Sequence, residues 1–535
     1  MIPTPRLSNR APWLEGGLLA LVVFCVYFFG GEAVLVSYHG MLHSAVGEAV
    51  LRGGFAPDNP YHAGESLRYY LLYPGLGVGI GRVGIGPLWG FALLNCIAAL
   101  LFGPALDSLG KSFGLGWISR RFVFLAAILG FNGFGWFVGL FADPIGPRPP
   151  LLALSHTTGT GLAWAWDARL QAFLPKFLNP SSFSLALPFG IFLLSHAAQA
   201  QGRAKRAILP ASLALALNPL VGLFFGTIAA LWKLPSCVRQ QGFARWAWPL
   251  SGIISVVLAL PFLWPLVGES VSGPSLLAGF SFSGSAASNF FGPLFLLLVA
   301  GCLGMSQASL RMRWMIAVGV ACALLGLFSG PLPWGNEYKF ARLAGVLLAV
   351  PAGIFLSRLR NNFGLVILVF TLPTLWMVLS SYLSWDRSLA TDPPRWEVEG
   401  GRLVAPGSLI LNAEASIPES VPLLVLGDPG GRLRQGISIT GNPLAPLLHR
   451  SLLVDEPHIH NARIPSLRSR LEDRRKVRQG DASALQRMRL LLPKEAMMVM
   501  SEIGGSEESV LRLAGARLLA EEETVKLWLL PPLDD

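Results

Sequence analysis

Ten apolar runs divide the first 384 positions: residues 14–36, 87–108, 121–141, 180–198, 207–232, 246–268, 288–306, 313–330, 339–357 and 363–383. Each is near the ~20 residues a helix needs to cross a hydrocarbon core. From residue 385, "WDRSLATDPPRWEVEGG" forms a polar, proline-bearing linker, and no run of membrane length recurs after it. Strand-like runs (408–411, 422–426, 497–500, 525–530) then alternate with helical ones (466–477, 482–492), which predicts a small α/β domain. The expected architecture is an α-helical polytopic membrane domain over residues 1–384 and a soluble α/β domain over 385–535.

Short basic clusters orient the helices. Arg6/Arg10, Lys111/Arg120/Arg121, Arg203/Lys205/Arg206, Lys233/Arg239/Arg245, Arg311/Arg313 and Arg358/Arg360 all belong on the cytoplasmic side. An even number of crossings must then separate consecutive clusters, and run 207–232 breaks the rule unless it is split. Asn218-Pro219 at its middle supplies the break, because Pro interrupts the helical ladder and pushes the preceding residue out of helical geometry. The run is therefore predicted to be a helical hairpin. Residues 69–83 are apolar, but counting them as a span would put Lys111 outside; with their glycines, Pro74 and Arg82 they read as a surface helix. The sum is about eleven transmembrane helices in the plasma (inner) membrane, with the N-terminus cytoplasmic and the C-terminal domain extracytoplasmic, periplasmic or extracellular. Run 14–36 is longer than the apolar core of a secretory signal and lacks an A-x-A site, which predicts a retained signal anchor.

Composition agrees with this solvent: 53% of residues are hydrophobic and only 14% charged. The net charge of +11 sits mostly in those topology clusters, which argues against nucleic acid as a partner. Five cysteines, all in or beside apolar runs and none in a CxxC pair, provide neither a disulfide framework nor a zinc site.

The outer side receives residues 37–86 (the first outer loop, with surface helices), 142–179 (the second outer loop), 269–287 and 331–339. In the first, His39 and His43 stand four apart and would share a helix face, with Glu48 elsewhere on that helix. A metal would need a third ligand from Asp58, His62 or Glu65; the simpler alternative is that the histidines hydrogen-bond carbonyls. In the second, Asp143 follows an apolar run directly and stands as either a chemical group or a helix anchor, whereas Asp167 reads as an anchor. In "NEYKFAR", Glu337, Lys339 and Arg342 open a span, where helix amides and two cations could hold a phosphate. Snorkelling is the competing account of Lys339, and Arg342 lies about a turn deeper.

Two stretches, "MLHSAVGEAVLRGGFAPDNPYHAGESLRYY" and "GNEYKFARLAGVLLAVPAG", resemble the GT-C superfamily of membrane glycosyltransferases, and within it the bacterial YYY-type membrane proteins. The resemblance implies an inverting transferase that uses a polyprenyl-phosphate-linked sugar on the outer face, drawn from the membrane lipid phase. The acceptor would be a glycan, lipid or protein. By the same resemblance Lys339 and Arg342, with Glu337, Arg68, Asp58, His62 and Tyr69, would form the lipid-phosphate and sugar site. The acid that GT-C enzymes carry just after their first span falls here at Tyr38 or His39, so the base is sought among Asp143, Glu32 and His39. The resemblance fixes no cofactor, and a divalent metal, Mg or Mn, at His39 and His43 stays open. Two non-enzymatic readings stay open: a lipid-linked-glycan binder or transporter, and a scaffold of cell-envelope assembly. A transporter would place ionisable residues at mid-membrane, which these spans do not, and a scaffold would use the basic "RIPSLRSRLEDRRKVRQ".

Overall fold

In the computed structural model the described residues are 5–36, 39–130, 177–199, 204–267, 297–328, 338–359 and, in shorter runs, 363–533. In chain order the helices are α1 (Pro5–Val36), α2 (Gly40–Gly53), α3 (Leu72–Gly81), α4 (Pro87–Ser112), α5 (Trp117–Leu129), α6 (Ser182–Ala198), α7 (Lys205–Leu217), α8 (Pro219–Arg239), α9 (Ala247–Val267), α10 (Leu310–Phe328) and α11 (Tyr338–Arg358). Short α12 (Phe363–Val369) follows. Among the described residues six helices are long and apolar enough to cross a membrane: α4, α8 and α10, together with Arg10–Gly30 of α1, Ala247–Leu266 of α9 and Lys339–Arg358 of α11. Large apolar side chains on them point outward, such as Phe28, Leu223 and Ile253, each about 60% exposed; an oily exterior is what a bilayer solvent requires. The chain is a multi-pass membrane protein with a small C-terminal α/β domain.

Two compact units make up the chain. The first comprises Met1–Gly30, Leu94–Pro261 and Val271–Trp385. Within it α1 crosses α4 at backbone contact. A Cβ on Gly16 would lie 2.1 Å from the Leu100 carbonyl oxygen and one on Gly103 2.4 Å from that of Pro12, so only glycine fits at either place. A buried amide fastens α4 further: Asn95 Nδ2 donates to Tyr27 Oη (2.8 Å) and to the carbonyls of Phe177 (3.0 Å) and Asn179 (2.6 Å), while its Oδ1 accepts from Ser184 (3.0 Å). At the end carrying Lys111, buried Asp107 pairs with Lys111 (2.9 Å), Arg120 (2.8 Å) and Arg121, and Glu15 takes a further bond from Arg121 (2.5 Å). Lys111, Arg120 and Arg121 thus have local counter-charges.

The split of run 207–232 is present. Asn218 is extended (φ −149°, ψ 106°); its side chain caps α8 at Val221, and Pro219 begins that helix. Asn218 Nδ2 donates to Ser182 at the start of α6, whereas Lys233, near the end of α8, donates to the Gln199 carbonyl at the end of α6. Helices α6 and α8 therefore run parallel, with α7 returning between them, as a hairpin requires. The second arm is longer than expected, because α8 continues through Lys233 to Arg239.

The second unit comprises Gly31–Leu93, Phe262–Ser270 and Asp386–Asp535. Its first polar stretch holds α2 and α3, and α3 has only ten residues, about 15 Å of helix, too short to span. The C-terminal part adds strands β1 (Glu397–Glu399), β2 (Arg402–Val404), β3 (Leu423–Val425), β4 (Met497–Glu502), β5 (Arg517–Glu522) and β6 (Val525–Leu530), and helices α13 (Leu444–Leu447), α14 (Leu467–Arg478), α15 (Ala482–Arg489) and α16 (Glu507–Leu513). The main sheet has the order β3-β4-β6-β5, with β3 and β4 parallel and the other pairs antiparallel. Its core gathers Leu424, Val499, Leu511, Trp528 and Leu530, with Ala63 from the far end of the sequence. The expected strand at 408–411 lies outside the described residues.

Candidate functional site

The first turn of α11 brings two cations together. Lys339 and Arg342, three apart, share a helix face, and their charges lie within interaction range of each other. Arg342 is 3% exposed. The turn holds no acid, and positive charge is disfavoured at a helix N-terminus. A helix N-terminus carrying two cations and no acid favours an anion. Glu337, the acid just before it, lies outside the described residues, as does Asp143; of Glu32, only its place near the end of α1 is described.

In the second unit His39 caps α2 and its ring meets that of His43 at 6.0 Å, edge to face, so the two imidazoles do share a face. His43 is buried among Tyr73 (5.0 Å), Phe91 (5.8 Å) and Tyr69 (5.9 Å). Tyr69 donates its hydroxyl to Tyr70 (2.8 Å) and stacks on it at 4.1 Å. Burial, reinforced by Tyr70, holds the Tyr69 phenol well above the usual range, so it is a neutral donor and no base. Glu48, on the same helix, is buried and takes a 2.6 Å hydrogen bond from Arg82. Tyr73, Phe91 and this ion pair are additions to the residues expected from the sequence; their contacts join positions 30 to 48 residues apart, which no local spacing reveals. Among the described residues no three His, Cys, Asp or Glu side chains gather. With His43 enclosed by aromatic rings, the described groups do not fit a divalent ion.

Asp58, His62 and Arg68 fall in the stretch "DNPYHAGESLRYYLLY". Asp58 and Arg68 are exposed, and Asp58 bridges to Ser66. Between them the chain docks on the C-terminal sheet: Leu452 N–H donates to the Pro60 carbonyl and Ala63 N–H to the Leu452 carbonyl, both at 2.8 Å, and Leu452 itself bridges β3. Gly64 turns there with φ +80°, a conformation that needs glycine. Arg470, 5% exposed, donates to the carbonyls of Ala63 (2.8 Å) and Leu453 (2.9 Å) and faces Glu65 at 3.7 Å.

His62 is fully buried in this contact, with Nε2 2.9 Å from Ser466 Oγ. Ser466 gives its own proton to Glu65 (3.1 Å), so His62 Nε2 is the donor and Nδ1 the bare nitrogen, buried without a hydrogen-bond partner. Burial, and then the Arg470 charge, push the His62 pKa down to about 3. Below pH 6.5 the unfolded ring takes up a proton that the folded ring refuses until about pH 3. Stability is therefore full above pH 6.5 and falls with pH, by about 2 kcal/mol at pH 5. His62→Gln keeps a donor for Ser466 and does not titrate. Unfolding of the purified chain at pH 7 and pH 5 should show an acid-induced loss smaller by that amount in the variant; equal losses would remove His62 from the account.

No protein-family model and no curated protein matches this sequence. Among solved structures the chain is similar to ArnT from Cupriavidus metallidurans, both bound to undecaprenyl phosphate and in the apo state. In each case identity is 11%, the TM-score is 0.50, and the match covers 96% of this chain and 97% of that one. At this identity the likeness speaks for the fold alone, which the chain shares with ArnT over nearly its whole length.

Proposed function

We propose that the chain is a membrane-embedded glycosyltransferase that takes a sugar from a polyprenyl-phosphate carrier and passes it to an acceptor on the extracytoplasmic face. The observation that carries this reading is the end-to-end likeness to ArnT, whose structure holds undecaprenyl phosphate. The cationic first turn of α11 supports it from within the chain. The finer likeness to YYY-type proteins rests on the two sequence stretches alone.

In this reading the acceptor oxygen attacks the anomeric carbon from the face opposite the carrier, the glycosidic C–O bond breaks, and the polyprenyl phosphate leaves with the electron pair. Lys339 and Arg342 take up the developing phosphate charge. A base from among Asp143, Glu32 and His39 removes the acceptor proton. General base catalysis contributes about 10² to 10⁴ in rate, and the leaving phosphate needs little more than fixed positive charge.

The test compares polyprenyl-linked sugars and surface glycans between a deletion strain and its parent. One lipid-linked sugar should accumulate while a matching residue disappears from one acceptor. No change in either pool would leave binding or scaffolding as the function.

A further inference from the structure

The first unit holds a groove whose lining includes no residue of α11. Helices α7, α8 and α9 line a half-open apolar groove of about 570 Å³, within the roughly 300–1,000 Å³ of small-molecule sites. Its wall includes small residues, among them Ala211, Gly226 and Gly252. A Cβ placed on either glycine would meet no atom within 4 Å, so the space is open.

At one end stands Lys233, 7% exposed, its ammonium 4.9 Å above the Trp248 ring. An ammonium has three N–H donors; one goes to the Gln199 carbonyl, and no other acceptor is recorded among the described residues. Arg311 sits over Trp232 at 5.5 Å, close enough to repel Lys233, and Arg245 over Trp246 at 5.2 Å. Tryptophans paired with cations mark the headgroup level of a bilayer. From residue 177 to 328 the sequence holds eight Lys or Arg and a single acid, Glu269. Asp107 and Glu15 neutralise the cations at α4 and α5, whereas among the described residues no acid pairs with Lys233 or Arg311.

We infer that this groove is a binding site for an anionic diacyl glycerophospholipid, an acyl chain filling the apolar space and the phosphate resting on Lys233 and Arg311. Basic pockets between membrane helices hold acidic headgroups in this way. Snorkelling alone would explain the cations but not an open apolar groove beneath them. The inference is independent of the transferase reading, since it involves neither α11 nor the polyprenyl carrier.

The experiment is native mass spectrometry of the full chain, purified in detergent and equilibrated with equal amounts of phosphatidylglycerol and phosphatidylcholine. The wild type should retain phosphatidylglycerol selectively. Each cation is worth about fivefold for an acidic lipid, so Lys233→Gln with Arg311→Gln should lower retention roughly 25-fold. Gly252→Leu leaves every charge in place, suits a helix better than glycine, and should displace the lipid by filling its space. Equal retention of both lipids, wild-type retention in either variant, or a co-purifying peptide in the groove would overturn the assignment.

Discussion

The Arg342→Ala variant is expected to lose sugar transfer by about 10²- to 10³-fold, the usual cost of deleting one preorganised group that meets charge in a transition state. Arg342 is buried at the start of α11, where the helix dipole already favours an anion and disfavours the guanidinium. Arg342→Met fills the same volume without charge; similar losses in both variants, at wild-type levels of protein in the membrane, would assign the effect to the guanidinium. Arg342→Lys should recover part of the rate, because a point charge remains where a planar fork was. The readout is return of the accumulated lipid-linked sugar to parental level when the deletion strain carries each variant. Full complementation by Arg342→Ala would remove Arg342 from the mechanism.

Arg470→Leu should be the most destabilising single change in the second unit, costing about 3–5 kcal/mol. The substitution strips donors from the Ala63 and Leu453 carbonyls and leaves Glu65 without its cation. Its effect should appear first as undocking of residues 58–66, read as faster trypsin cleavage at exposed Arg68. Arg468→Leu, two positions earlier and exposed, should change stability by no more than about 0.5 kcal/mol. Equal effects of the two changes would show that the docked contact is not held by Arg470.

The membrane part was legible because one solvent imposes one rule. The hairpin at Asn218 followed from counting crossings between basic clusters, and the α3 segment was set aside as a span by the same count. Strands at 423–425, 497–502 and 525–530 were visible as apolar β-branched or Met-rich runs. Strand β5 was not: "RLLAEE" is made of good helix formers, yet it pairs with β6 alone and holds its place as an edge strand through that contact. The docked loop was invisible for a related reason. The motif "NPYHAG" reads as a costly polar run, and its hydrogen bonds reach residues such as Leu452, Ser466 and Arg470. A partner about 400 positions away leaves no period in the local sequence. The cations of α11 were legible as a cluster; that Arg342 is buried was not.

The separation between Ala63 and Arg470, 407 positions, also sets a schedule. At the usual ~5–20 residues per second of synthesis, residues 58–66 emerge some 20–80 s before the surface on which they dock. Through that interval Ala63 and the carbonyls around it have only solvent or a chaperone for company. The C-terminal domain, once made, finishes its core with a piece that has been waiting, so a chain cut short before residue 470 strands the loop that a full-length chain would have claimed.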